Sequence, residues 1–299
     1  MLPTRIAAVR YLNTAPLIEG LEKLPAIELI PSVPSRIVDL LNSNAADIGL
    51  ASIIDAAASP TPLALIPVGM IGCDGPTLTV RLFSSLPFSH ITQLHADSDS
   101  HTSTILAQVL LAKLHNVRPD ITRFHARERV EVAGSPPAEF LTLEDSWPPA
   151  IVLIGDKVVT DAPPAAKYPF QMDLGEAWHT LTGLPFVYAM WMCRAEDADS
   201  PNIALAAEVL DRQRRHNATR LDWIVQTRAP QARWPVDTAS HYIGRLLRYH
   251  VGPRERQAVE HFLSLAAELG LVPRRNVQWS GAATGSEHDV TPSLFASKA

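Results

Sequence analysis

Four short stretches carry residue types suited to small-molecule chemistry. Tyr11-Leu12-Asn13 ends the first apolar run, with Thr14, Ala15 and Pro16 opening a helical pattern. An asparagine at the carboxyl end of a strand can donate and accept hydrogen bonds into a cleft; Asn13 or Thr14 can equally cap the helix. Asp97-Ser98-Asp99-Ser100-His101-Thr102-Ser103-Thr104 precedes a run with a helical apolar face. Unpaired amides, the positive end of the helix dipole and nearby hydroxyls can bind a carboxylate there without lysine. Capping needs one Ser or Thr, and the hydroxyls at Ser100, Thr102, Ser103 and Thr104 exceed that need. Gly72-Cys73-Asp74-Gly75-Pro76 breaks the apolar rhythm before Thr79, which either faces a cleft or is a β-branched strand residue bonded to backbone. Ile154-Gly155-Asp156 ends an apolar run in a carboxylate that is either chemical or a cap.

Several chemistries are excluded by pattern. The sequence has no GxGxxG after a strand, no GxxxxGK[ST] phosphate loop and no GxSxG nucleophile elbow. Its 11 histidines show no HExxH or other metal-ligand spacing, and no buried Glu–His pair stands out as a base. Cys73 and Cys193 lack CxxC spacing and read as buried thiols.

The elements that must position these residues alternate in type. Arg5–Arg10, Ala26–Pro31, Ala46–Ala51 and Leu63–Ile71 read as strands, while Ala15–Lys23 and Pro34–Asn42 read as helices, the latter with Ser32 or Ser35 near its start. This is the form of parallel α/β units. Leu78–Ser84, a helix over Ile105–Leu114 and a strand over Ile151–Ile154 form a second α/β segment; Arg127–Pro149 is proline-rich and unassigned. Pro185–Trp191 reads as a strand returning to the first unit. Ile203–Arg215, Thr238–His250 and Pro253–Leu269 carry helical periods, with Pro253 in a first turn and Gly270 at a C-terminal cap. Arg212–His216 reads as a solvated helix end.

The fold class expected is α/β, two lobes joined by extended crossings near 76–84 and 185–192, with a ligand cleft between them. Residues 1–80 with 188–280 make the first lobe, 81–187 the second, and 281–299 a mobile tail. The 299 residues are 46% hydrophobic and 19% charged, which suits buried cores rather than disorder. With 26 basic against 31 acidic residues the net charge is −5, which argues against a nucleic-acid partner. No apolar run approaches the roughly 18 residues of a membrane span, and no export signal is visible, so a cytoplasmic location is expected.

In order and spacing, these segments resemble the chorismate dehydratases of the futalosine route to menaquinone. The resemblance is carried by Tyr11-Leu12-Asn13, Ala46-Asp47-Ile48-Gly49, Gly72–Pro76 with Thr79, and Ser100–Ser103. It continues through Ile154-Gly155-Asp156, Asp173-Leu174-Gly175 with Trp178, and Thr182–Val187, covering roughly residues 4–194. It implies a fold like the type II periplasmic binding proteins, cytoplasmic work, chorismate as small-molecule substrate, and no metal or organic cofactor. It also implies that Asn13 and Thr79 line the reacting part of the pocket, with Tyr11, Ser100, His101, Thr102, Ser103, Gly155 and Asp156 as substrate-binding candidates. The family commonly has Ser where Thr79 stands and Arg where His101 stands. Histidine cannot reproduce the two-pronged grip of arginine on a carboxylate. A non-catalytic small-anion binder and the sister enzyme acting on cyclic dehypoxanthinylfutalosine are the competing readings.

Overall fold

Parallel winding begins at the first strand. In the computed structural model, which describes residues 3–98, 100–124 and 147–281, β1 (Thr4–Ala8) pairs in parallel with β2 (Ile27–Pro31) and β3 (Ile48–Ser52). Asp99, most of the proline-rich stretch and residues 282–299 lie outside the described residues. Helices α1 (Ala15–Ile18), α2 (Ile37–Asn42) and α3 (Asp55–Ala58) follow these strands, and β4 (Leu63–Cys73) completes the first run.

The middle of the chain forms β5 (Val80–Ser84), β6 (Gln93–Asp97), α4 (Thr102–His115), β7 (Asp120–Phe124), β8 (Ala150–Ile154), α5 (Lys157–Thr160), β9 (Phe170–Asp173) and α6 (Leu174–Thr182). Then β10 (Phe186–Arg194) returns, followed by α7 (Pro201–Ala218), α8 (Leu221–Arg228), α9 (Val236–His241), β11 (Leu247–Arg248), α10 (Pro253–Glu268) and β12 (Gln278–Trp279). Two sheets result. One runs β11-β4-β10-β3-β1-β2 with β12 also on β4, and the other runs β7-β6-β8-β5-β9. The chain passes between them twice, after β4 and before β10.

Strand β10 lies inside the first sheet, antiparallel to β3 and β4. Its side chains alternate between two cores. Met190 and Met192 join a cluster containing Leu82, Leu110 and Phe262, while Trp191 and Cys193 face Ile203, Ala207 and Leu210 of α7. Burial on both faces explains the unbroken apolar run. Trp178, Phe186 and Phe262 pack edge-to-face with centroids 4.9–5.8 Å apart, which fastens α6 and α10 to β10. Both cysteines are buried, as expected.

Three helix expectations are corrected. Ala15–Lys23 stops as α1 at Ile18, and a 3-10 turn follows at Leu21–Lys23. Pro34–Asn42 starts as a 3-10 turn, and no side chain caps it or α2. Thr238–His250 breaks at His241 into a π-helical turn, Tyr242–Leu246, and then β11, which pairs with Gly72 and Cys73 of β4. The edge of β4 offered unpaired amides, and that pairing won over helical periodicity.

Candidate active site

The first wall is built from the ends of β1 and β3. Tyr11 and Asn13 leave β1 through a 3-10 turn, Leu12–Thr14. The capping alternative is not realised, since Thr14 precedes α1 without a side-chain cap bond. Asn13 instead stands beside the Tyr242 hydroxyl, whose burial-raised pKa it lowers, and accepts from Thr14 Oγ1 at 3.2 Å.

The second wall comes from the turn after β4. Leu78 stands at φ +72°, a conformation costly for a residue with a Cβ, and two amide bonds to Asp173 hold it there: Leu78 N–H at 2.7 Å and Thr77 N–H at 2.9 Å. The same carboxylate caps α6 through Gly175 N–H and Glu176 N–H. Gly175 must be glycine, because a Cβ would collide with Thr77 Oγ1, Cys73 Sγ and the Gly75 carbonyl. This clamp presents Thr79. Its hydroxyl does not bond backbone; it meets Tyr242 Oη at 2.6 Å. Asp173→Ala leaves several buried amides without an acceptor, and we expect it to lower unfolding free energy by about 1–3 kcal/mol in a denaturant titration.

The third wall is the start of α4. Of its four hydroxyls, two serve the fold: Thr102 Oγ1 donates to the Tyr188 carbonyl and accepts from Ile54 N–H, and Thr104 Oγ1 donates to the Ser100 carbonyl. Ser100 Oγ is buried without a partner among the described residues, and Ser103 lines the same wall. Behind the wall, Asp97 pairs with Lys157 at 2.5 Å, both side chains 4% exposed or less.

His101 is the one Lys, Arg or His among the described cleft-lining residues, and no Asp or Glu lines it. Its Nδ1 lies 3.0 Å from Asp55 Oδ1. That bond holds the imidazole pKa above its ordinary value, against the opposing pull of burial. The sequence does not anticipate this Asp–His pair. Asp55 and His101 are far apart in the chain and share no local signature.

These walls border about 730 Å³ of space when the open mouth is counted. Tyr11, Asn13, Thr79, Ser100, His101, Thr102, Ser103 and Gly155 all line it. Gly155, at φ +68°, turns the chain away from β8 and leaves the mouth open. Asp156 is not brought in. It precedes α5 without a side-chain cap bond and lines a neighbouring cavity with Arg10, Glu19 and Arg228. Sequence reasoning missed Thr77, Tyr188 and Tyr242. Thr77 Oγ1 and Tyr188 Oη lie 2.6 Å apart, and burial pushes the Tyr188 phenol pKa well up. Among the described residues, no cluster of three or more His, Cys, Asp or Glu is placed to hold a metal, and no helix is long and apolar enough to cross a membrane.

Two sheets with a cleft of apolar side chains, hydroxyls, one amide and one imidazole between their connections define a two-lobed protein with the periplasmic-binding-protein-like fold. The aliphatic sulphonate binding protein of Escherichia coli superposes with TM-score 0.55 at 13% identity, over 99% of this chain and 100% of that one. A crystallographically solved protein of Archaeoglobus fulgidus gives 0.65 at 12% identity, over 90% and 98%. The chain belongs to the menaquinone biosynthesis family, whose model matches residues 4–268. A chorismate dehydratase of Thermus thermophilus is 27% identical over 285 residues, 91% of this chain and 97% of that protein.

Proposed function

We propose that this protein is a chorismate dehydratase, converting chorismate to 3-[(1-carboxyvinyl)oxy]benzoate in the cytoplasm. The observation that carries the reading is the meeting, in one cleft, of Asn13 and Thr79 with a hydroxyl-lined helix start and His101, whose protonated form Asp55 favours. Chorismate is a dianion at neutral pH. The start of α4 with Ser100, Ser103 and His101 takes one carboxylate through amides, hydroxyls and the imidazolium. The lobes, residues 1–80 with 188–280 and residues 81–187, close over the ring.

The reaction removes the proton on the carbon bearing the enolpyruvyl ether and the hydroxyl on its neighbour, giving water and an aromatic ring. Aromatisation drives it, so the enzyme supplies position and electrostatics. Among the described residues the cleft wall offers no carboxylate, and Asp55 favours the protonated form of His101. In this reading the substrate's own enolpyruvyl carboxylate serves as the proton acceptor. Carbanion charge spreads into the ring carboxylate, and Thr79 and Asn13 hydrogen-bond the departing hydroxyl.

The experiment is direct: incubate purified protein with chorismate and follow product by chromatography. Catalytic accumulation of the enolpyruvyl benzoate supports the reading. Stoichiometric binding without product makes the protein a small-anion binder, and turnover of cyclic dehypoxanthinylfutalosine in its place makes it the sister enzyme.

A further inference from the structure

We infer that Tyr242 is a positioning residue for this dehydration, holding Asn13 and Thr79 in one hydrogen-bonded chain so that the Thr79 hydroxyl proton points at the departing hydroxyl. The inference rests on the dehydratase reading. Its structural basis is the convergence of three distant segments. Asn13 follows β1, Thr79 follows the turn after β4, and Tyr242 opens the π-helical turn that interrupts the expected helix. π-turns are rare and recur at functional sites; this one brings a phenol to the cleft wall.

The phenol is fixed from both ends. Its ring stacks on Trp234, centroids 5.1 Å apart and planes 17° apart, and it is buried in the same hydrophobic cluster as Ile243 and Leu247. The residue is 2% exposed. Its hydroxyl meets Thr79 Oγ1 at 2.6 Å, and Asn13 stands near enough on the same cleft wall to lower its burial-raised pKa. A phenol has one proton to give. With the Asn13 amide donating to Tyr242 Oη and Tyr242 donating to Thr79 Oγ1, the Thr79 proton has no acceptor in this chain and turns to the cleft. Burial pushes the Tyr242 pKa far up, with Asp156 and Cys73 adding in the same direction, so the phenol keeps its proton at working pH. A donor chain running one way is worth more than its separate bonds in a low-dielectric site.

The test is Tyr242→Phe, which keeps ring and stack and removes only the hydroxyl. We expect kcat with chorismate to fall about tenfold with KM changed less than about threefold, the mark of an interaction made in the transition state. In a Thr79→Val background, the same change should cost nothing further, because the chain is already cut. Unchanged kcat, or losses that multiply, overturns the inference while leaving the dehydratase reading in place. Wild-type protein that leaves chorismate untouched overturns both. Should Tyr242→Phe fold poorly, 3-fluorotyrosine at 242 keeps the ring and hydroxyl and makes the phenol a stronger donor. An altered kcat at constant KM then supports the chain, and an unaltered kcat overturns it.

Discussion

Asn13→Ala lowers kcat for chorismate by about a hundredfold, about 2.7 kcal/mol of barrier, the loss seen when one preorganised donor is removed from a site of developing charge. A tenfold loss is the smallest that fits its assigned place. The side chain does no capping work: neither the 3-10 turn nor α1 takes a side-chain cap bond. Its polar contacts are to Tyr242 and Thr14, at the cleft. The variant should therefore melt within a few degrees of wild type while losing turnover. Thr79 supplies the matching control, since Thr79→Ser retains a hydroxyl and activity, whereas Thr79→Val retains shape and turns over measurably more slowly. Steady-state kinetics with product quantified by chromatography checks all three. Wild-type turnover in Asn13→Ala, or equal behaviour of the Val and Ser variants, would falsify these assignments.

The second large effect is on KM, and it follows pH. Only the imidazolium form of His101 attracts a substrate carboxylate, and the carboxylates stay ionised throughout the range concerned. Asp55 raises the His101 pKa and is helped by Asp39, while Arg123 and burial oppose it. A raised pKa means the charge is fully present below the ordinary histidine value and is lost as pH rises through the shifted one. Affinity should therefore hold to higher pH than an unperturbed histidine would allow, then weaken as pH rises through the shifted pKa. Asp55→Asn moves that break to lower pH. His101→Arg removes it and gives a flat profile, because guanidinium does not titrate there. A wild-type KM that stays constant from pH 6 to 9 (an experimental span of roughly three decades in proton activity) removes His101 from substrate binding. Folding stability carries the same sign, falling as pH rises through the shifted pKa.

Much of this was legible from residue patterns, for physical reasons that differ by element. The order of strands β1 to β4 could be read because each is an apolar run separated from the next by a helical or turn segment. The α4 start stood out because its hydroxyls outnumber what a cap needs. Asp173 before Leu174 carries the ordinary N-cap signature, and its second task, holding Leu78 at positive φ, has none. Asp55 could not be paired with His101 in advance, because their contact is made by packing α3 against the start of α4 and leaves no trace in spacing. Tyr242 was hidden by a correct local signal that lost to a tertiary one. Its neighbours have helical periodicity, yet the unpaired end of β4 captured Leu247 and Arg248 and forced the turn open. Asp156 shows the reverse failure, a polar residue after a strand whose neighbour Gly155, rather than its own side chain, reaches the cleft.

The Thr102 hydroxyl is wedged between Ile54 N–H and the Tyr188 carbonyl, and that carbonyl also accepts from Ile53 N–H. One helix of the second half is thus bolted to the floor strand of the first. Pulling the start of α4 away from β10 would strip partners from an amide, a hydroxyl and a carbonyl at once, so this corner is held by a cooperative knot rather than by a single contact.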